Sequence, residues 1–129
     1  MKTSTLVTVL ALFAGVLSAE PVAAVTVDFV DADHFTDFSD SYAFPERGRK
    51  YYTKQLSEYL SDRAAKKLPK GWRLQVVVTD VDMAGEFEPW RSSSAQDVRI
   101  VKDLYPPRID LSFRIWNAAG NVVAEGDRK

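Results

Sequence analysis

The sequence predicts a two-layer α+β domain with the element order β-α-β-β-β, in which one amphipathic helix packs on a mixed or antiparallel sheet. Two observations predict it. Several segments alternate apolar and polar residues, as half-buried strands do, and one segment between the first two of them has the apolar spacing of a helix. A helix and a sheet that are each apolar on one side bury those sides against each other, which gives two layers.

The first predicted strand covers residues 25–30, where alternate residues are valine or phenylalanine. A loop rich in aspartate follows this strand and shows no sustained period. It is long for a small domain. We expect its aromatic side chains to pack against the core, namely those of Phe35, Phe38 and Phe44.

The helix is predicted over residues 45–68. Pro45 suits the first turn of a helix, because the N–H that proline lacks is not needed there. Pro69 restricts the residue before it and Gly71 follows as a breaker, so the helix is expected to stop near Leu68. Its apolar stripe consists of Tyr52, Leu56, Tyr59, Leu60, Ala64 and Leu68.

The second strand is predicted at residues 72–82. Alternate residues form one face of this strand, which is apolar up to Val78 and then continues with two acids. The residues expected on that face are Trp72, Leu74, Val76, Val78, Asp80 and Asp82. A short strand around residues 97–101, a strong strand over 109–116 and a final strand around 122–125 follow. The last two are joined by a turn at residues 117–121, whose asparagine and glycine residues suit positive φ.

Residues 1–24 have the layout of a secretory signal peptide, with a basic residue near the start and small residues after an apolar run. The apolar run, residues 6–17, is shorter than the roughly 20 residues that a membrane-spanning helix needs. We therefore expect no membrane span once the signal is removed. Cleavage is expected after Ala24, with Ser18 and Ala19 as alternative positions.

The mature chain is predicted to be one small domain, residues 25–129, located in the periplasm or secreted. Its acids and bases are interspersed and the net charge is −1, which predicts neither nucleic acid nor an anionic membrane surface as a partner. The absence of cysteine excludes disulfides, a thiol nucleophile, thiolate-bound zinc and a lipid-modified cysteine. An exported domain of this composition depends on its apolar core for stability.

Acidic residues follow the first two predicted strands. Asp31 and Asp33 come after the first strand, Asp80 and Asp82 end the second, and His34 lies beside the first pair. If these strands are parallel neighbours, their carboxyl ends lie at one edge of the sheet, together with the helix amino terminus. Four acids are then expected to converge at the kind of strand-end crevice where α/β ligand sites occur.

Two chemical interpretations of these acids are open. Ca²⁺ and Mg²⁺ prefer carboxylate oxygens, but the spacing does not match a calcium loop, and we predict no metal and no cofactor. The other interpretation is acid–base hydrolysis by a carboxylate pair such as Asp80 with Glu86 or Glu88. The chain has no cysteine, no serine motif with a base and no glycine-rich phosphate loop, so we name no catalytic residue.

A structural interpretation of the same acids competes with both, and it is the one we favour. Aspartates near a helix start accept backbone N–H bonds there or pair with nearby cations. The cations available at the predicted helix start are Arg47, Arg49 and Lys50.

The loop after the second strand offers a third functional interpretation, a binding surface. Phe87, Trp90 and Arg91 lie there, and aromatic residues and arginine are enriched at binding hot spots. The alternative is that Trp90 folds back over an open end of the sheet as a plug. Gly85 is expected to permit a turn that a side chain would strain.

Three segments resemble the bacterial family DUF3016, domain of unknown function 3016. They are "VTVDFVDADHFTD", "LPKGWRLQVVVTDVDMAGEFEPWR" and "DVRIVKDLYPPRIDLSFRI", and the most specific elements are DVD at 80–82, EPW at 88–90 and PRI at 107–109. The resemblance implies a small exported protein and assigns no activity. It also implies a further apolar and aromatic segment after the last strand, so that this chain resembles a C-terminally truncated member.

The sequence therefore predicts a non-enzymatic periplasmic module that binds a ligand or associates with the envelope. The predicted partner is an envelope protein or a small ligand at the loop around Trp90. A carboxylate-based hydrolase or a divalent-cation-binding protein is the alternative. The residues predicted to bind a ligand are Asp80, Asp82, Glu88, Trp90 and Arg91.

Overall fold

The computed structural model describes residues 22–41, 44, 46–94 and 97–129. Four strands form the main sheet and two short strands form a second one. The α+β prediction is confirmed, because one helix packs against a mixed sheet. In chain order the elements are β1 (Ala24–Phe29), a 3-10 turn (Ala32–His34), α1 (Glu46–Ala65), β2 (Arg73–Asp82), β3 (Glu86–Phe87), β4 (Arg99–Ile100), β5 (Arg108–Trp116) and β6 (Val122–Arg128).

The main sheet has the order β1-β2-β5-β6. β1 and β2 are parallel neighbours, so the condition stated for their carboxyl ends to share one edge is met, and α1 lies between them in sequence. β2 and β5 are antiparallel, and so are β5 and β6. The final strand reaches Arg128 rather than residue 125, whereas α1 ends at Ala65 rather than near Leu68. The N–H groups of Lys67 and Leu68 both donate to the carbonyl of Ala64, which closes the helix in a tight turn before Pro69.

A β-bulge in β2 corrects the predicted faces of this strand. Val78 pairs with Leu111, but the next registered pair is Asp80 with Asp110, so β2 has one more residue than β5 at this point. The extra residue reverses the alternation. Val81 therefore joins Val78 in the core with only 4% of its surface exposed, and Asp80 and Asp82 lie on the opposite face, not on the apolar face that simple alternation predicts.

The short predicted strand around residues 97–101 exists as β4, but it does not join the main sheet. It pairs antiparallel with β3, which the sequence pattern had not revealed. The two strands form a small ribbon that supports the loop between β2 and β5. β3 leads directly into Glu88, Trp90 and Arg91, three of the five residues that the sequence predicts to bind a ligand.

The loop between β1 and α1 belongs to the core. Phe38 is buried with Val76 and Val78, and Phe35 packs against this cluster, as predicted. The backbone of the loop also extends the sheet, since Asp37 N–H donates to the Val81 carbonyl and Asp37 C=O accepts from Met83, both at 3.0 Å. The prediction for Phe44 is wrong, because its side chain is 55% exposed. Pro45 lies outside the described residues.

Candidate functional site

The acids at the carboxyl ends of β1 and β2 do not form one cluster. Asp31 accepts a 2.6 Å hydrogen bond from Nδ1 of His34, and Asp33 forms an ion pair with Arg49. The hydrogen bond and the negative charge of Asp31 raise the pKa of His34. Across the ranges that the structure describes, no group of three or more histidines and acids could hold a metal ion. The expected convergence of four acids is therefore wrong, whereas the pairing of Asp33 with Arg49 agrees with the structural interpretation.

Asp80 holds the loop between β1 and α1 against the end of β2. Its Oδ1 accepts the backbone N–H of Thr36 at 2.6 Å, and its Oδ2 accepts the Thr36 hydroxyl at 2.7 Å and Nη2 of Arg108 at 3.0 Å. Burial raises the pKa of Asp80, but these donors lower it by more, so the pKa lies below its usual value. The aspartate accepts a backbone N–H, as the structural interpretation predicts, but from a loop rather than from the helix start.

We expect Asp80→Asn to lower the free energy of unfolding by about 1 kcal/mol at pH 7, since a part-exposed charged acceptor is lost. The folded pKa is depressed, so the stabilisation by the ionised group is present above the unfolded pKa, near 3.8, and is lost as the pH falls through the folded value. Urea unfolding of both proteins at pH 7 and pH 3 measures this. A difference that grows at pH 3 would contradict the assignment.

Glu88 joins two turns through a buried carboxylate. Its Oε1 accepts Nζ of Lys102 at 2.6 Å and the hydroxyl of Tyr105 at 3.4 Å, and its Oε2 lies 2.5 Å from Nε of Arg91. The Lys102 hydrogen bond contributes most to lowering the pKa of Glu88, and the charges of Arg91 and Lys102 lower it further. Each turn is closed by its own backbone bond, Arg91 N–H to Glu88 C=O at 3.1 Å and Tyr105 N–H to Lys102 C=O at 2.9 Å.

Trp90 projects from the first of these turns, with 73% of its surface exposed. The plug alternative is therefore wrong. Val101 and Leu104, next to and within the second turn, are 71% and 75% exposed. We call residues 88–91 and 101–105 the paired-turn surface. It presents three large apolar side chains on two turns that one carboxylate ties together.

Arg99 anchors the base of this surface to the core loop. Its guanidinium pairs with both carboxylate oxygens of Asp37 and donates to the carbonyls of Gly85 at 3.1 Å and Ser39 at 2.9 Å. It also lies 4.4 Å from the ring centroid of Phe87, in cation–π contact. Gly85 has φ of 82°, and a Cβ there would come within 2.7 Å of the Ile100 carbonyl, so the predicted need for glycine is confirmed.

The predicted ligand-binding residues thus have different surroundings. Glu88 and Arg91 contact each other beside Trp90, whereas Asp80 binds Thr36 and Arg108. The carboxylate of Asp82 has no hydrogen bond or ion pair among the described side chains, and this residue borders two surface grooves of about 440 and 420 Å³. A ligand-binding role for any of the five stays a prediction.

Sequence reasoning missed four residues that organise the site: Asp37, Arg99, Lys102 and Tyr105. The turn signal around residues 104–108 was visible in the two prolines, but the ion pairs join positions far apart in the chain. No local pattern reports such a pairing.

Neither Asp80 nor Glu88 has the properties of a general acid. A carboxyl group that donates a proton at neutral pH needs a raised pKa, which burial away from positive charge provides. Both pKa values are lowered here, because the backbone N–H and hydroxyl of Thr36 and the Arg108 guanidinium donate to Asp80, and Lys102, Arg91 and Tyr105 act on Glu88. The hydrolase alternative therefore has no support from the geometry of these two groups.

The fold and the surface together define a small α+β domain that presents an exposed tryptophan on ion-paired turns. The chain belongs to the DUF3016 family, described as a protein of unknown function, whose model matches residues 23–129. This confirms the family resemblance. No curated protein and no solved structure matches the chain. Within the described ranges, no helix is both long and apolar enough to cross a membrane.

Proposed function

We propose that the protein is an exported, non-enzymatic binding module that contacts another envelope protein through the paired-turn surface. The observation that carries this proposal is that Trp90 is 73% exposed, on a turn that the buried Glu88 carboxylate holds in place. The free energy falls when a partner removes a large aromatic side chain from water. Tryptophan is also among the residue types that dominate binding interfaces.

The rigidity of the surface favours binding over simple exposure. Glu88 restrains both turns, and Arg99 fixes the ribbon beneath them, so little conformational entropy remains to be lost when a partner binds. Arg91 and Lys102 lie beside the apolar side chains and supply a polar rim. The partner that fits is a protein with an apolar pocket for the indole and acidic groups around it.

Export is the second component of this proposal, and the start of β1 bears on the cleavage site. The N–H of Ala24, the first residue of β1, donates to the Trp72 carbonyl at 3.0 Å. Cleavage after Ala24 would remove this residue from the strand. We therefore propose cleavage after Ser18 or Ala19, which leaves β1 whole. Fractionation followed by mass spectrometry of the periplasmic protein tests both the location and the new amino terminus.

We expect Trp90→Ala to leave the melting temperature nearly unchanged and to abolish partner binding. The side chain has few contacts to lose on truncation, because most of it faces solvent. Tyr51→Ala is a matched control, since Tyr51 is an aromatic residue exposed on α1, away from both turns. Thermal unfolding measures the stability of all three proteins.

Binding is measured by photo-crosslinking in living cells with a benzophenone amino acid at position 101, 104 or 51, which keeps Trp90 in place. The expected result is one adduct of the same mass from positions 101 and 104 and none from 51, suppressed by excess wild-type protein but not by Trp90→Ala. A large loss of stability in Trp90→Ala would instead make Trp90 a structural residue. Equal crosslinking from position 51 would contradict a surface at the turns.

A further inference from the structure

β1 forms an edge of the main sheet, and on its outer side no described strand pairs with it. N–H groups at its start and just beyond its end, Ala24 and Val30, donate at 3.0 Å to the carbonyls of Trp72, which directly precedes β2, and of Val78. Because backbone groups point alternately to the two sides of a strand, the even-numbered residues of β1 bond to β2. The odd-numbered residues direct their N–H and C=O groups to the open edge: Val25, Val27 and Phe29.

A groove of about 520 Å³ runs along this edge between β1 and α1. Val27 and Phe29 form its apolar side, and their side chains are only half-buried because α1 does not cover them fully. On the helix side, the small residues Thr53 and Ser57 leave the groove open. An open strand edge beside such a groove is the arrangement in which proteins add an extended peptide as an extra strand, with alternate side chains entering the groove.

The charges along the groove select the chemistry of the added strand. Asp33 and Arg49 neutralise each other as an ion pair. Lys50 has no ion-pair partner among the described side chains, and Lys54 is only loosely paired, with its Nζ 3.8 Å from Glu58. Glu46 also lines the groove, so its charged lining consists of three basic and two acidic side chains. The excess is positive, and the helix side offers two ammonium groups one turn apart to an incoming strand.

The opposite edge of the sheet, β6, is built differently. Its residues include Glu125, Asp127 and Arg128, and charged side chains on an edge strand hinder pairing with another strand. β1 carries one charged residue, Asp28, whose carboxylate is occupied by a 3.0 Å hydrogen bond from Gln75. Of the two edges, β1 is therefore the one open to strand addition.

We propose that the open edge of β1 binds an extended acidic peptide segment of a partner protein as an additional strand. Its backbone bonds to the odd-numbered residues of β1, its apolar side chains contact Val27 and Phe29, and its carboxylates face Lys50 and Lys54. This site is distinct from the paired-turn surface and does not depend on the function proposed for it.

The probe is a capped, fluorescein-labelled octapeptide in which every second residue is threonine and the remaining positions are valine and glutamate in turn, so that the valine and glutamate side chains share the face directed at the groove. Two matched peptides control for its features: one carries lysine in place of each glutamate, and one is N-methylated at alternate residues so that one edge cannot donate. The protein is purified from cells that express the full-length chain. Fluorescence anisotropy is expected to show binding of the first peptide, and binding of both controls about tenfold weaker or less.

Variants of the protein separate charge from backbone pairing. The double substitution Lys50→Glu with Lys54→Glu is expected to weaken binding of the glutamate peptide at least about tenfold and to strengthen binding of the lysine peptide. Lys66→Glu with Lys67→Glu makes the same charge change outside the groove and is expected to alter binding less than about twofold. Val25→Pro removes one outward N–H without affecting pairing to β2, and is expected to abolish binding.

Three outcomes would overturn the proposal. The first is the absence of binding by the glutamate peptide to the folded protein. The second is binding that N-methylation and the groove variant leave unchanged. The third is a concentration-dependent dimer, seen by sedimentation and lost in Val25→Pro, which would assign this edge to a second copy of the chain. If Val25→Pro does not fold, the N-methylated peptide and the lysine variants still test whether the edge of β1 binds the peptide.

Discussion

Phe38→Ala is expected to lower the free energy of unfolding by about 3–5 kcal/mol, the range for a buried phenylalanine. The ring of Phe38 lies 6.2 Å from that of Phe29, 5.8 Å from Phe35 and 6.1 Å from Tyr52, measured between centroids. Removing it opens a cavity where the sheet, the helix and the loop meet. The residues around this cavity are held by β1, α1 and β2, so they cannot collapse into it fully.

Phe44→Ala is the matched control, because it removes the same side chain from the same loop at an exposed position. Its expected effect is within about 0.5 kcal/mol. Urea unfolding followed by tryptophan fluorescence gives both values. Equal effects of the two substitutions would show that the loop is a detachable lid rather than part of the core.

This contrast shows how far the sequence can be interpreted. Its alternation and helical spacing predict β1, α1, β2, β5 and β6 to within a few residues, because each pattern arises from local geometry. Phe38 and Phe44 lie in one acidic loop with no period, and nothing local separates the buried ring from the exposed one. Their burial is decided by the tertiary contacts of the loop with β2.

The bulge in β2 is a second feature that the sequence pattern does not predict. Alternation predicts Asp80 on the apolar face, but one extra residue after Val78 places Val81 there instead. The sequence contains apolar residues compatible with either assignment, and only the pairing with β5 decides between them. The correction matters for function, because it directs Asp80 toward Thr36 and Arg108 and makes this carboxylate a structural link.

The sequence predicts where the candidate site lies, but not the contacts that its residues make. Trp90 stood out as a tryptophan on a polar loop, and it is exposed. The sequence predicts that Glu88 binds a ligand, yet its oxygens are occupied by Lys102, Tyr105 and Arg91. Those contacts bring together residues from both sides of the β3–β4 ribbon, which a linear pattern cannot show.

Arg99→Leu is expected to destabilise the domain by about 3 kcal/mol, since breaking a largely buried ion pair leaves its partner charged and unpaired. The side chains of Arg99 and Asp37 are only 16% and 15% exposed. The substitution also leaves the carbonyls of Gly85 and Ser39 without this donor. A loss of this size lowers the melting temperature by roughly 12 °C or more in a domain of this size.

Asp37→Ala combined with Arg99→Leu is expected to cost less than the sum of the two single substitutions, because the double variant leaves no unpaired charge behind. Arg114→Leu is the matched control. Its pair with Glu125 is 2.7 Å long but more than half exposed on both sides, so its loss is expected to cost less than about 1 kcal/mol. If Arg99→Leu costs no more than Arg114→Leu, the ribbon is not anchored through Arg99, and the rigidity on which the paired-turn surface depends must come from Glu88 alone.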